Sequence, residues 1–204
     1  MKVIVFDLWN TIAYHKYKDG SLSDICKECY KGNYRTFLKS YEQIFQISKN
    51  VSFETGFKKL FKKLNIEYDN KKIKKYVNKR KRYESEFIFY IYLFPLLKKL
   101  KKQGYKIALL SNTDSHLGEK IKKCKLNKYV DKFFFSYELK SIKPHTKNFK
   151  AVLNHFKVKR SDVLMIGDTF QDDIVPARKL GLKAIHFKSG NQILKELRKG
   201  GLIQ

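Results

Sequence analysis

Lys2-Val3-Ile4-Val5-Phe6-Asp7-Leu8-Trp9-Asn10-Thr11 begins with a short, β-branched apolar run that stops on an acid. Such a run is too short for an amphipathic helix and lacks polar alternation. It predicts a strand buried on both faces, feeding Asp7. Lys106 to Leu110 repeats the pattern and runs into Ser111-Asn112. Val163 to Ile166 repeats it and runs into Gly167-Asp168. Ala184 to Phe187 is a fourth candidate strand and Phe133 to Phe135 a shorter fifth. Helix-like stretches lie between them: Leu93 to Gln103 before Gly104, Leu117 to Cys124, Lys147 to Phe156, and Asp173 to Leu180 before Gly181. Glycine suits the left-handed residue that commonly ends a helix. Strands alternating with helices predict an α/β fold, a Rossmann-like parallel sheet with helices on both faces. Ligands of such sheets sit beyond the carboxyl ends of the strands. Asp7, Ser111-Asn112 and Asp168 all fall at those ends, so residues distant in sequence are expected to meet at one crevice.

The stretch from Ala13 to Leu93 carries a different pattern. Tyr34, Phe37, Leu38, Tyr41, Ile44 and Phe45 follow helical spacing, as do Phe53, Phe57, Leu60, Phe61 and Leu64, with lysines opposite. Ile73, Tyr76, Val77 and Phe87 suggest a third helix. The expected organisation is a core domain of residues 1–13 and 94–204, interrupted by an all-helical cap of residues 14–93. The cap leaves after the first strand and returns before the second, so it can cover the crevice. Its aromatic stripes read as its own packed interior.

The 204 residues carry a formal net charge of +26, mostly from lysine. Such a surface attracts anions, phosphorylated metabolites and nucleic acid alike; a nucleic-acid partner is possible but not favoured. No apolar run approaches the roughly 20 residues of a membrane-spanning helix. The run Val3 to Phe6 is too short for an export segment. The expectation is a soluble cytoplasmic protein without membrane contact. Cys26-x-x-Cys29 lacks the second ligand pair that structural zinc requires, and Cys124 stands apart, so reduced thiols are expected. The oligomeric state is not legible here.

Four stretches, taken in order, resemble the four motifs of the haloacid dehalogenase (HAD) superfamily, subfamily I, whose helical cap follows the first motif. They are Phe6-Asp7-Leu8-Trp9-Asn10-Thr11, Leu109-Leu110-Ser111-Asn112, Lys143-Pro144, and Met165-Ile166-Gly167-Asp168-Thr169-Phe170-Gln171-Asp172-Asp173. The resemblance spans nearly all of the chain outside the cap. It implies a hydrolase in which Asp7 is the attacking nucleophile and Lys143 a fixed catalytic cation. Thr11, Ser111, Asn112 and Lys143 would grip the transferring group. Mg2+ would sit on Asp7, the Trp9 main-chain carbonyl, Asp168 and Asp173, with Asp172 as an outer partner. Chemistry fits that assignment. A carboxylate approaching a phosphate dianion needs nearby positive charge, and magnesium prefers hard oxygen ligands. The implied substrate is a small phosphorylated metabolite, turned over through an aspartyl intermediate.

One position departs from the family. Where its phosphatases carry a second Asp, two residues after the nucleophile, this chain has Trp9, and Asn10 replaces a glycine. The missing acid protonates the leaving group, and such help is worth roughly 100- to 10,000-fold. Haloacid dehalogenases place an aromatic at this position and attack carbon, which gives an alternative reading. They work without metal, however, and lack the acid matching Asp168. Three acids beside Asp7 with no cation would repel one another, which favours the magnesium phosphohydrolase. A further alternative is a catalytically weak scaffold binding an anionic partner such as RNA.

Overall fold

A computed structural model of the chain describes residues 2–203. Strand β1 (Val3–Phe6) is wholly buried and forms the centre of a five-stranded parallel sheet. The ribbon strand β2 (Ala13–His15) follows. Next come four helices, α1 (Leu22–Cys29), α2 (Tyr34–Tyr41), α3 (Phe53–Lys63) and α4 (Asn70–Ser85), and then strand β3 (Phe87–Phe89). Helix α5 (Leu93–Lys102) leads to β4 (Lys106–Ser111), α6 (Ser115–Lys123), β5 (Lys132–Phe135) and the short α7 (Ser136–Leu139). The chain closes with α8 (Thr146–Phe156), β6 (Val163–Gly167), α9 (Val175–Lys179), β7 (Lys183–His186) and α10 (Gly190–Lys199).

The sheet order is β5-β4-β1-β6-β7. Phe6 stands opposite Leu109 on one side and Ile166 on the other. That register brings the residues after β1, β4 and β6 to the same edge. Alternating side chains supply two apolar layers, as the pleat dictates. Ile4, Phe6, Ile107, Leu109, Leu164 and Ile166 pack with Leu96, Leu97 and Leu100 of α5 and Leu197 of α10. Val3, Val5, Ala108, Leu110, Val163 and Met165 pack on the other face with Phe149 and Val152 of α8. The α/β sheet with helices on both faces is therefore as the strand pattern predicts. Gly104, at φ +81°, follows α5, and Gly181, at φ +82°, follows α9.

The helices between β2 and β3 have an interior of their own. It is built from rings: Phe37, Tyr41, Phe45, Phe53, Phe57, Phe61 and Tyr76. Gly56 on α3 sits where a Cβ would strike the Phe45 ring, so the close approach requires glycine. Asp69 accepts from the Lys72 amide and caps α4, and Ser52 does the same for α3 through Thr55. Helix α2 runs on into a π turn, Glu42–Gln46.

The expectation of an all-helical stretch from Ala13 to Leu93 needs correction. Ala13, Tyr14 and His15 pair antiparallel with Phe89, Ile88 and Phe87. Phe87 therefore belongs to a ribbon and not to a third helix. The stretch expected as one helix from Asp173 begins instead as a π turn, Phe170–Ile174. Helices α1 and α10 were not expected from the spacing. Each is a single short helix whose pattern needs its neighbours to stand out. Among the described residues no helix is long and apolar enough to cross a membrane.

A polar seam joins the helical block to the sheet. Tyr41 donates to Asp114 at 3.4 Å, and Asp114 caps α6. Lys120 donates to the Glu84 and Ser85 carbonyls at 3.2 and 2.8 Å. The His116 ring stacks on Phe53, with centroids 4.6 Å apart.

Candidate active site

Asp7 leaves β1 on a backbone tied to β6, its N–H donating to the Ile166 carbonyl at 2.8 Å. Its carboxylate is buried. Lys143 Nζ donates to Asp7 Oδ1 at 2.6 Å and to Asp173 Oδ1 at 2.5 Å. Asn112 fixes this lysine through its main chain. The Lys143 N–H donates to Asn112 Oδ1 at 2.7 Å, and Asn112 Nδ2 donates back to the Lys143 carbonyl at 3.1 Å. Asp173 is fully buried, and its Oδ2 accepts from the Thr169 amide at 3.1 Å. Gly167 makes that position possible, because a Cβ there would lie 2.6 Å from the Asp173 Cβ.

Carboxylate oxygens of Asp7, Asp168 and Asp173 lie within 4.8 Å of one another. Asp172 is half-buried and lines the same cleft. Four carboxylates thus face one ammonium. Burial pushes the Asp7 carboxyl up against the pull of Lys143, and Asp173 adds to the rise. Asp168 is raised by burial and by Asp173. Asp172 is raised by burial as well, with Lys143 opposing. Burial works against the Lys143 charge, but Asp7 and Asp173 outweigh it and hold the lysine protonated. Crowded acids that resist ionising are short of positive charge. A hard divalent cation on oxygen donors would supply it, and the donor set fits one.

Thr11 is buried and donates to Asp7 Oδ2 at 3.4 Å. Ser111 is buried too, and its hydroxyl has no partner among the described residues. It lines the cleft beside Asp7 and Lys143, where an incoming oxygen could meet it. Asn10 adopts φ +55°, which asparagine tolerates better than most residues in the place of a glycine. The backbone of Trp9 bridges to Ala13, and its indole stacks on His15 with centroids 4.2 Å apart. Phe87 meets the indole edge-on at 6.0 Å. Trp9 also lines the cleft.

The structure thus brings together Asp7, Trp9, Ser111, Asn112, Lys143, Asp168 and Asp172 around one cleft of about 190 Å³. Thr11 and Asp173 stand behind it, bonded to its walls. Four lining residues were not among the expected site residues: Asn10 and Thr169, inside the motif stretches, and Glu42 and Gln46, both on the π turn after α2. Burial and the Asp172 charge push the Glu42 carboxyl up to about 7. The signal available was an acid and an amide inside an otherwise aromatic stripe, in a chain with only 19 acids. A larger cavity of about 370 Å³ adjoins, sharing Trp9, Asn10, Gln46 and Asn112 and lined further by Arg80 and His15. Cys26 and Cys29 lie away from the cleft, packed with the ring interior.

The chain resembles known proteins in sequence and in fold. The family model of haloacid dehalogenase-like hydrolases matches residues 1–181. A glyceraldehyde 3-phosphate phosphatase from Pyrococcus furiosus is 27% identical over 203 residues, covering 93% of this chain and 82% of that protein. Among solved structures, a HAD-like family hydrolase from Porphyromonas gingivalis superposes with a TM-score of 0.69 at 17% identity, covering 97% of this chain and 98% of that one. A HAD family enzyme from Bacteroides thetaiotaomicron, solved as a magnesium complex, gives 0.67 at 21%, covering 93% and 94%. At these identities the structural likeness is one of fold.

Proposed function

The chain belongs to the haloacid dehalogenase-like hydrolases, and from that premise we propose that it is a magnesium-dependent phosphohydrolase of small phosphorylated metabolites. The observation that carries this reading is the convergence of Asp7, Asp168 and Asp173 oxygens within 4.8 Å, beside a single buried lysine. Asp7, Asp168, Asp173 and the Trp9 carbonyl would hold Mg2+, with Asp172 outside them. When bound, the ion supplies Lewis-acid neutralisation of the phosphate charge.

Asp7 Oδ2 is the oxygen less engaged by Lys143, and it attacks phosphorus to form an aspartyl-phosphate, which water then hydrolyses. Lys143 opposes the rise that burial imposes on Asp7 and directs its own positive charge at the transferring oxygens. The Ser111 hydroxyl, unpartnered among the described residues, donates to one of those oxygens. Thr11 steadies Asp7, and Asn112 steadies Lys143 while its main-chain N–H faces the group. Residues 14–93 act as the cap domain, and residues 1–13 with 94–204 as the core. A cleft of about 190 Å³ suits a small molecule. The named activity of the Pyrococcus relative, on a triose phosphate, lies in the same class. A soluble, cytoplasmic setting is part of this reading.

The test is turnover of phenyl, acyl and alkyl phosphates with Mg2+ and with EDTA, in wild type and Asp7→Asn. Hydrolysis that needs the metal and falls by at least about 1000-fold in Asp7→Asn is expected. Metal-independent chloride release from a 2-haloacid, with no phosphate released under any condition, would replace it with attack on carbon.

A further inference from the structure

In-line displacement sets the geometry of the missing proton donor. Asp7 attacks from the carboxyl end of the sheet, so the leaving oxygen departs on the opposite side, toward the cap. Trp9, two residues after Asp7, has no proton to give near neutral pH. His15 cannot stand in. Its ring is stacked between Trp9 and Tyr83, with centroids 4.2 and 3.8 Å away. Its Nδ1 is bonded to the Tyr83 carbonyl at 3.1 Å. Burial and the Arg80 charge lower its pKa to about 4.

The remaining ionisable groups lining the cleft are Asp7, Asp168, Asp172, Lys143 and Glu42. The first four all rise from the core, at the strand ends or in the loops beside them. Glu42 alone comes from the cap side. The turn that carries it is anchored to the core. The neighbouring Tyr41 is fully buried, donates to Asp114 of the core, and stacks on Phe45 with centroids 4.3 Å apart. The π turn itself packs against α7. Such turns break a helix's regular bonding and recur at functional sites. Four residues further on the same turn, Gln46 lines the cleft with its buried Oε1 lacking a partner among the described residues. An acid and an unpaired acceptor are thus presented together where the departing half of a substrate would lie.

Resting on the phosphohydrolase reading above, we propose that Glu42 is the general acid and base of the reaction, doing from the cap what Trp9 cannot do from the core. In the first step the Asp7 oxygen bonds to phosphorus and the P–O bond to the leaving group breaks. The electron pair stays on the leaving oxygen, which takes the Glu42 proton. In the second, a water oxygen bonds to phosphorus as its proton passes to the Glu42 carboxylate, and the phosphorus bond to Asp7 breaks. Asp7 is regenerated, inorganic phosphate leaves, and Glu42 is neutral again. Glu42 is half-buried and lines this cleft together with Asp172. Lys143 lies in the same cleft, committed to Asp7 and Asp173. Gln46 Oε1 accepts a hydroxyl of the departing alcohol.

The test is a leaving-group series at saturating Mg2+, from p-nitrophenyl phosphate to an alkyl phosphate, in wild type, Glu42→Gln, Glu42→Asp and the double variant Glu42→Gln/Trp9→Asp. A good leaving group needs little protonation. Glu42→Gln should therefore lose about 100-fold or more on the alkyl phosphate and less than about 10-fold on the aryl one. Glu42→Asp should recover part of the alkyl activity. Adding Trp9→Asp should restore it from the other wall, and aryl turnover in each variant reports that the site is intact. Equal losses on both substrates would reduce Glu42 to a structural or binding role, and undiminished alkyl turnover would remove it altogether. Either result leaves the phosphohydrolase reading standing if wild type still hydrolyses the aryl ester with Mg2+. Failure of wild type on every phosphate would instead remove that reading and this proposal together.

Discussion

The π turn of the helical block and the sheet end hold most of their polar groups by different means. At the sheet end, Lys143, Asp7, Asp173, Asn112 and Thr169 satisfy one another through short hydrogen bonds. On the cap turn, Glu42 and Gln46 stand in a ring-packed block, with Gln46 Oε1 unpartnered among the described residues. Charge at the sheet end is organised before any substrate arrives. The difference teaches where selection for substrate can act without disturbing the bond-making machinery.

The largest expected effect would break the comparison at its packing. Phe57 is fully buried among cap rings, and Phe57→Ala should cost about 3–5 kcal/mol. If the two regions pack separately, amide hydrogen exchange should quicken through α1 to α4 while β1, β4 and β6 keep their protection. Simultaneous loss in both would mean one interior, not two. Lys143→Met tests the self-sufficiency of the sheet end. With the buried ammonium between Asp7 and Asp173 removed, kcat should fall by about 100- to 1000-fold, with the fall in kcat exceeding any rise in KM. Gly167→Ala forces a methyl against the Asp173 side chain. A loss of about 1–3 kcal/mol in urea unfolding is expected, together with weaker magnesium binding by calorimetry.

The smallest effect concerns the seam between the regions. His15 takes up a proton at about pH 4 in the folded chain and near 6.5 when unfolded. Between those values the unfolded state binds more protons, so this group's contribution to stability is lost as pH falls from 6.5 to 4. The ring is half-buried, so screening trims the effect to about 1 kcal/mol. His15→Phe should lose less stability than wild type between pH 7 and 4.5 in urea melts. An identical decline would assign the acid sensitivity to other groups.

The sheet was readable because its three inner strands, β1, β4 and β6, are buried on both faces, so their composition alone marks them. The rule that ligands gather beyond strand ends then placed Asp7, Ser111 and Asp168 together. Asp173 and Lys143 entered through resemblance to the family motifs, since no periodicity distinguishes Lys143 from its many neighbours in composition. Glu42 was hidden for a physical reason. It sits between Tyr41 and Ile44 in a stripe that reads as interior, and the face it presents depends on how the whole block docks. The ribbon of β2 and β3 was hidden because three residues are too few for alternation to register. Its pairing also joins segments separated by the entire cap.

That ribbon has an evolutionary consequence. Tyr14 stands opposite Ile88, so the outgoing and returning chain are side by side where the block begins. Topologically, everything from Lys16 to Glu86 is the decorated tip of one long hairpin. Its exchange for another insert, larger or smaller, would change loop-closure entropy only slowly with length. The neck would keep its register, and modular replacement at this point could give new specificities to an unchanged engine.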